Sequence, residues 1–383
     1  NSIMKNIKLF ILFGICLIFF IEGHAQDRVI TTGVPFLMIT SDARAAGMGD
    51  VGVATSSDAF SQQWNPAKYA FVNTSGGYGI SYTPYLSKLV NDIFLGNVTY
   101  YRKLNERSSW ATSFKYFSLG DVQFNQVIAG SIVDQGVERP NELTLDLSYS
   151  LKLSESFSMS VAARYIRSDL KLATDSDNNS ANSLGIDIAG FYQSKSFEFK
   201  GLNSIFRSGF NISNIGPRLK YDEGGKQNFI PTNLRIGSGL ELSLDDDNRL
   251  NFNLELNKLL VPTPIATFDE MNNFLGYEQP DIGFLKGIMQ SFNDAPDGLK
   301  EELQEITWAL GFEYIFKKVF SLRTGYFNES KLKGSRRYIT FGTGFIINQM
   351  DLNVSYLFST SNVRSPLENT LRFSLAFNIP ESI

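Results

Sequence analysis

The last strand-like stretch of the chain reads Thr370-Leu371-Arg372-Phe373-Ser374-Leu375-Ala376-Phe377-Asn378-Ile379. Leu371, Phe373, Leu375, Phe377 and Ile379 fall on one face; Arg372, Ser374, Ala376 and Asn378 fall on the other. Side chains alternate across a strand, so this is a period of two. A wholly apolar face opposite a face that carries an arginine suits a strand with lipid on one side and water on the other. The stretch predicts the closing strand of a bacterial outer-membrane β-barrel.

Working back from that end, the same alternation recurs. Leu143 to Leu153, Leu234 to Leu244, Leu250 to Leu256, Trp308 to Phe316 and Leu352 to Phe358 repeat it clearly. Weaker copies lie near 77–82, 94–103, 110–117, 157–166, 184–192, 206–212, 320–327 and 338–347. The expected architecture is an antiparallel barrel of about fourteen strands, an even count as bacterial barrels have. Connections alternate in length. Short ones include Asn105-Glu106-Arg107, Ser154-Glu155-Ser156, Lys317-Lys318 and Asn348-Gln349; long ones span roughly 118–141, 168–183, 213–233, 257–305, 328–337 and 359–369. Short periplasmic turns and longer outside loops produce this parity, which places both termini in the periplasm. The connections near 83–92 and 193–205 fit the parity least well.

The other end of the chain agrees. Lys5 and Lys8 precede an apolar run from Leu9 to Ile21 and then Gly23-His24-Ala25, the layout of a signal peptide over residues 1–25. Cys16 is the only cysteine and follows Ile15, which does not suit a lipoprotein box. Without the leader the chain has neither Cys nor His, which removes thiolates, imidazole bases, a conventional Ser-His-Asp triad and the commonest zinc ligands. No catalytic residue, cofactor site or metal site is expected. A net charge of −4 gives no reason to expect nucleic-acid binding. Mean hydropathy is only −0.10, as it is when lipid-facing and lumen-facing residues average out along each strand.

Residues 26–75 break the alternation and are rich in small side chains. They predict a compact, partly helical hatch or plug ahead of a barrel over 76–383. Within it, Gly47-x-Gly49-x-x-Gly52 imitates a dinucleotide fingerprint, but no βαβ unit surrounds it. Tight packing of backbone against the barrel wall explains the glycines better. Lumen-facing charges (Glu142, Asp146, Asp187, Glu241, Glu255, Glu313 and Arg164, Arg235, Arg323, Arg372) read as pairs across strands. In the loop 257–305, Phe284, Ile288, Met289 and Phe292 are spaced for one apolar helical face. Leu299, Leu303 and Ile306 continue it, with Glu301, Glu302 and Glu305 on the polar side. A helical cap over the outer mouth is expected there.

The segment Ser41-Asp42-Ala43-Arg44-Ala45-Ala46-Gly47-Met48-Gly49, then Ala54, Asp58-Ala59 and Trp64-Asn65-Pro66-Ala67, resembles the N-terminus of the PorV (LptO) family, the outer-membrane barrels of the type IX secretion system. The Asn-Pro-Ala element is similar to that of FadL-type transport barrels, which implies fourteen strands and an N-terminal hatch. The residues that carry the likeness are Asp42, Arg44, Gly47, Gly49, Trp64, Asn65, Pro66 and Ala67. The resemblance implies a non-enzyme whose partners are the SprA (Sov) translocon, cargo proteins with a C-terminal signal domain, and the PorU sortase attachment complex, which often joins cargo to anionic lipopolysaccharide. Extracellular loops would then be docking surfaces, with Phe284, Ile288, Met289 and Phe292 as candidate contacts. The competing reading is a FadL-like channel for hydrophobic small molecules. It needs an apolar lumenal pocket, whereas the wet faces are mostly Ser, Asn, Asp, Glu and Arg with occasional Phe117, Phe191 and Phe327. A general porin conflicts with a hatch of that size.

Overall fold

The computed structural model describes residues 28–128, 131–170, 180–221, 226–361 and 365–381; the leader read at 1–25 lies outside them. Fourteen strands form the wall. They are β1 (Gly76–Pro84), β2 (Ile93–Asn105), β3 (Ser108–Leu119), β4 (Asn141–Lys152) and β5 (Phe157–Asp169). Then come β6 (Ala181–Gln193), β7 (Leu202–Ile215), β8 (Asn233–Ser243), β9 (Arg249–Leu259) and β10 (Thr307–Phe316). The last four are β11 (Phe320–Asn328), β12 (Arg337–Ile347), β13 (Met350–Ser359) and β14 (Leu371–Ile379). Each pairs antiparallel with its chain neighbours, and β1 pairs with β14, so the sheet has no free edge. In β14, Leu371, Phe373, Leu375 and Phe377 face out and Arg372, Ser374 and Ala376 face in, as the alternation requires.

The two ends of the barrel differ. At one end the turns are tight. Lys317 and Lys318 both have left-handed φ, 52° and 57°, in the three-residue connection 317–319 between β10 and β11. The connection after β6 is longer because it holds a fifteenth strand of three residues, Phe197–Phe199, folded back on Leu202, Asn203 and Ser204 at the foot of β7. At the other end the loops carry structure of their own. The one after β3 forms a hairpin, Val122–Ile128 with Ser131–Glu138. The loop after β9 opens with another hairpin, Ile265–Phe268 with Phe274–Glu278. Two short helices follow, Phe284–Gln290 and Leu299–Gln304.

Residues 33–72 are almost entirely buried and run through the lumen. Helix α1 (Ala43–Ala46) packs on β12, β13 and β14. Helix α2 (Ser61–Trp64) leads to a 3-10 turn, Pro66–Phe71, that packs on β3, β4, β5 and β6 across the barrel. The later two helices are α3 (Phe284–Gln290) and α4 (Leu299–Gln304). Near the loop end, Val34, Phe36 and Leu37 meet Leu95, Phe117, Ile166, Leu219 and Ile230 in an apolar layer. Near the turn end, Ala59, Phe60, Tyr69 and Val72 meet Tyr101, Ala111 and Ala376 in a second one.

Candidate functional site

The lumenal segment is held by its own motif residues. Asp42 caps α1: its Oδ2 accepts from the Ala45 N–H at 2.8 Å, and its Oδ1 accepts from Trp64 Nε1 at 2.6 Å. Burial, reinforced by the charge of Asp58, pushes the Asp42 carboxyl up to about 6. Asn65 caps the 3-10 turn through Ala67 N–H at 3.0 Å, and its Nδ2 donates to Val53 O and to Gly190 O in β6, each at 3.0 Å. Pro66 opens that turn with no N–H to satisfy. The Ala67 carbonyl accepts from Ser158 Oγ of β5 at 2.7 Å. Lys68, pushed down to about 8 by burial, donates to Gly52 O at 2.8 Å and Thr55 Oγ1 at 3.0 Å.

Arg44 is the main bond between segment and wall. Its guanidinium forks onto Glu313 of β10, Nε to Oε1 at 3.0 Å and Nη2 to Oε2 at 2.9 Å. Its Nη1 donates to Asp58 at 2.8 Å. Glu313 also accepts from Arg323 Nε at 2.7 Å and Asn251 Nδ2 at 3.1 Å. A two-pronged carboxylate–guanidinium pair fixes orientation as well as distance. On the adjoining strands, Glu255 Oε2 of β9 accepts from the Gly52 and Val53 N–H groups, and Arg235 of β8 stacks on Trp64 at 4.5 Å. Asp50 meets both Tyr338 and Arg372. Sequence reasoning missed Asp50, Asp58 and Lys68 as anchors, because nothing in their local pattern marks their partners.

The glycines are used for closeness. A Cβ on Gly47 would lie 2.9 Å from the Gly342 Cα, and one on Gly325 would lie 2.0 Å from the Met48 carbonyl carbon. Gly49 has φ +74° and faces the Tyr326 backbone. Some wall charges pair across strands as expected: Arg164 bridges Asp146 and Asp187, Arg323 takes Glu313, and Arg207 takes Glu241; Arg372 and Glu255 instead meet the lumenal segment, Arg235 stacks on Trp64 and Glu142 accepts from Ser168 Oγ. A bulge in β7 sets Asn214 at φ 60° so that its N–H donates to Asp187 at 2.7 Å. Among the described residues no group of three His, Cys, Asp or Glu is placed to hold a metal.

The loop cap has the opposite sidedness from the one expected for α4. Glu301, Glu302 and Glu305 are buried; Leu299 and Leu303 are 74% and 59% exposed. The acids turn inward because cations wait there. Lys258 of β9 reaches Glu302 and Glu305, both at 2.9 Å. Lys333 reaches Glu301 at 2.6 Å and Glu305 at 3.1 Å, and Arg28 reaches Glu301 at 3.0 Å. Of the four candidate contacts, Met289 and Phe292 are exposed, at 74% and 49%, while Phe284 and Ile288 are half-buried. The four therefore do not form one free face. Leu285, Leu299 and Leu303 join the exposed pair instead.

Comparison with known proteins adds the family. The model of the type IX secretion system protein PorV matches residues 22–266. The chain belongs to the PorV family. The match takes in the whole lumenal segment and β1 to β9, and it ends before α3 and α4. The family makes this chain an outer-membrane component of the type IX secretion system. Among solved structures it is similar to two of the Pseudomonas putida toluene transporter TodX. One is 11% identical with a TM-score of 0.53, over 89% of this chain and 99% of that one. The other is 10% identical with a TM-score of 0.51, over 91% and 98%. A Pseudomonas aeruginosa FadL homologue aligns at 10% identity and a TM-score of 0.45, over 89% and 98%. At these identities the TodX likeness speaks for the FadL-like barrel fold alone. No curated protein sequence matches the chain.

Proposed function

We propose that this PorV-family chain binds an SprA (Sov) translocon and carries cargo with a C-terminal signal domain to a PorU-type sortase complex at the cell surface. The family match carries this reading. The turn end and both termini face the periplasm, and the loop end faces out. Residues 26–75 act as a plug, 76–383 as the barrel, and the loop 257–305 as an outer docking surface. The chain works by binding and not by catalysis.

Two observations support a carrier over a conduit. The lumen holds a segment tied to β10 through Arg44 and Glu313 and to β6 through Asn65. The apolar groups of the lumen near the loop end are packed on one another, Phe36 against Phe117 at 6.0 Å. On this reading cargo is handled on the outside, where Leu285, Met289, Phe292, Leu299 and Leu303 stand exposed.

The first test is to delete the gene and compare surface, medium and periplasmic proteins. Proteins sharing a C-terminal signal domain should vanish from surface and medium, with uncleaved forms retained inside. Intact secretion would sink the proposal. The second reading, a FadL-like channel for hydrophobic small molecules, draws on the fold shared with a toluene transporter. It is the one to adopt if secretion stays intact while uptake of such compounds falls. Met289→Ser with Phe292→Ser tests the docking surface: the barrel should fold, and cross-linking to translocon or cargo should fall. Unchanged cross-linking to both would remove the docking role.

A further inference from the structure

One row of lumenal side chains is not accounted for by the plug. Ser81 in β1 stands opposite Asn97 in β2, Asn97 opposite Lys115 in β3, and Lys115 opposite Thr144 in β4. Their chain neighbours Ile80, Val98, Phe114 and Leu145 face out, so all four point inward. All four are buried, and Lys115 is only 3% exposed. Ser81 Oγ, Asn97 Oδ1 and Thr144 Oγ1 have no hydrogen-bond partner among the described residues. Lys115 likewise has none, and no ion pair.

The carboxylates whose charge reaches Lys115 are Asp146 and Asp187. Both are already engaged. Arg164 bridges them, Ser113 Oγ donates to Asp146 at 2.8 Å, and the Asn214 N–H donates to Asp187 at 2.7 Å. A second cation reaches Lys115 with its charge: Arg235, whose guanidinium lies on Trp64 and whose Nη1 is buried without a partner. The next lumenal residues toward the loop end, Leu95 and Phe117, belong to the apolar layer under Phe36. An ammonium left unpaired beneath such a layer is strongly disfavoured. It must lose its proton or gain a negative partner that the described residues do not supply.

We infer that this row is an internal binding site for a small inorganic anion of halide size, with Lys115 supplying the charge and Thr144 a hydroxyl donor. The free Nη1 of Arg235 adds to the positive field. The apolar layer under Phe36 bounds the row toward the loop end, and so few donors suit a small monatomic anion better than an oxyanion. The site is independent of partner docking and adds an internal counterion to the barrel.

The test uses the full mature chain purified in detergent, with bromide as the probe. Crystals grown in bromide should show an anomalous peak beside Lys115. At constant ionic strength the melting temperature should be higher in bromide or chloride than in gluconate, since a ligand that binds only the native state stabilises it. Lys115→Met should lose both the peak and the halide dependence. If that variant does not fold, Thr144→Val serves, with a weaker peak expected. Water alone at the row, or an equal halide shift in wild type and Lys115→Met, would overturn the inference.

Discussion

Asp42 serves two elements with one carboxylate, capping α1 through one oxygen and holding the Trp64 indole through the other. Its folded-state value near 6 lies above the ordinary carboxylate value. The native state therefore holds this proton more tightly than the unfolded chain. The contribution to stability falls as pH climbs from about 4 to about 6 and is flat above that. Trp64 emission should titrate with a midpoint near 6, and Asp42→Asn should abolish the step. An emission profile that is flat over that range in the wild type would contradict this. Glu313 is the more costly residue to lose. Glu313→Ala leaves Arg44 and Arg323 buried without their shared partner, a loss of about 3–5 kcal/mol by analogy with broken buried pairs. Hydrogen exchange over 42–58 should accelerate while β1 to β14 stay protected. Of these residues the motif Asp42-x-Arg44 was visible in the sequence. That Glu313 receives Arg44 was not, because a lumenal carboxylate 269 positions along the chain from its partner looks locally like any other wet-face acid.

Helix α4 carries two stripes, one apolar and one acidic. Its apolar and acidic stripes were legible at helical spacing, but which stripe turns inward was not. Spacing gives two faces, and the choice was made by Lys258, Lys333 and Arg28 from three separate parts of the chain. The expected consequence is an inverted mutational pattern. Leu299→Ser and Leu303→Ser should leave the cap folded, whereas Glu305→Ala should take one carboxylate from both Lys258 and Lys333 and make the loop 257–305 more sensitive to protease. Limited proteolysis of intact cells reads this directly. Strands were more legible than helices because lipid and lumen impose a period of two on each residue without reference to distant ones. The two loop hairpins were missed because neither lies between lipid and water. The wall of β11 offers another element-scale test. Gly325→Ala puts a methyl into the Met48 backbone, an overpacking cost of about 1–3 kcal/mol. The barrel should keep its folded mobility on unheated SDS gels while the plug becomes susceptible to cleavage.

As a whole the molecule is a wall with a filled centre. In planar bilayers it should give no steady ion conductance, and removal of residues 33–72 should open one. Persistent wild-type conductance would argue for a lumenal path and against a static plug. The barrel itself, its closure and its parity could be read from alternation and connection length. The filling could be anticipated only as a compact segment of small residues, since its fit depends on close approaches such as Gly47 to Gly342. One feature of that filling reaches into biogenesis. The Ala43 N–H donates to Ser374 Oγ in β14, and Asp50 pairs with Arg372 in the same strand. The portion made first thus finds its partners in the portion made last. Such distant contacts pay their loop-closure entropy before they return anything. The plug's seat is incomplete until β14 has been synthesised and exported, so the last of its docking and the zipping of β14 onto β1 belong to one late step of assembly. A nascent chain stalled before β14 would carry its N-terminal segment unhoused, open to chaperones and proteases of the compartment.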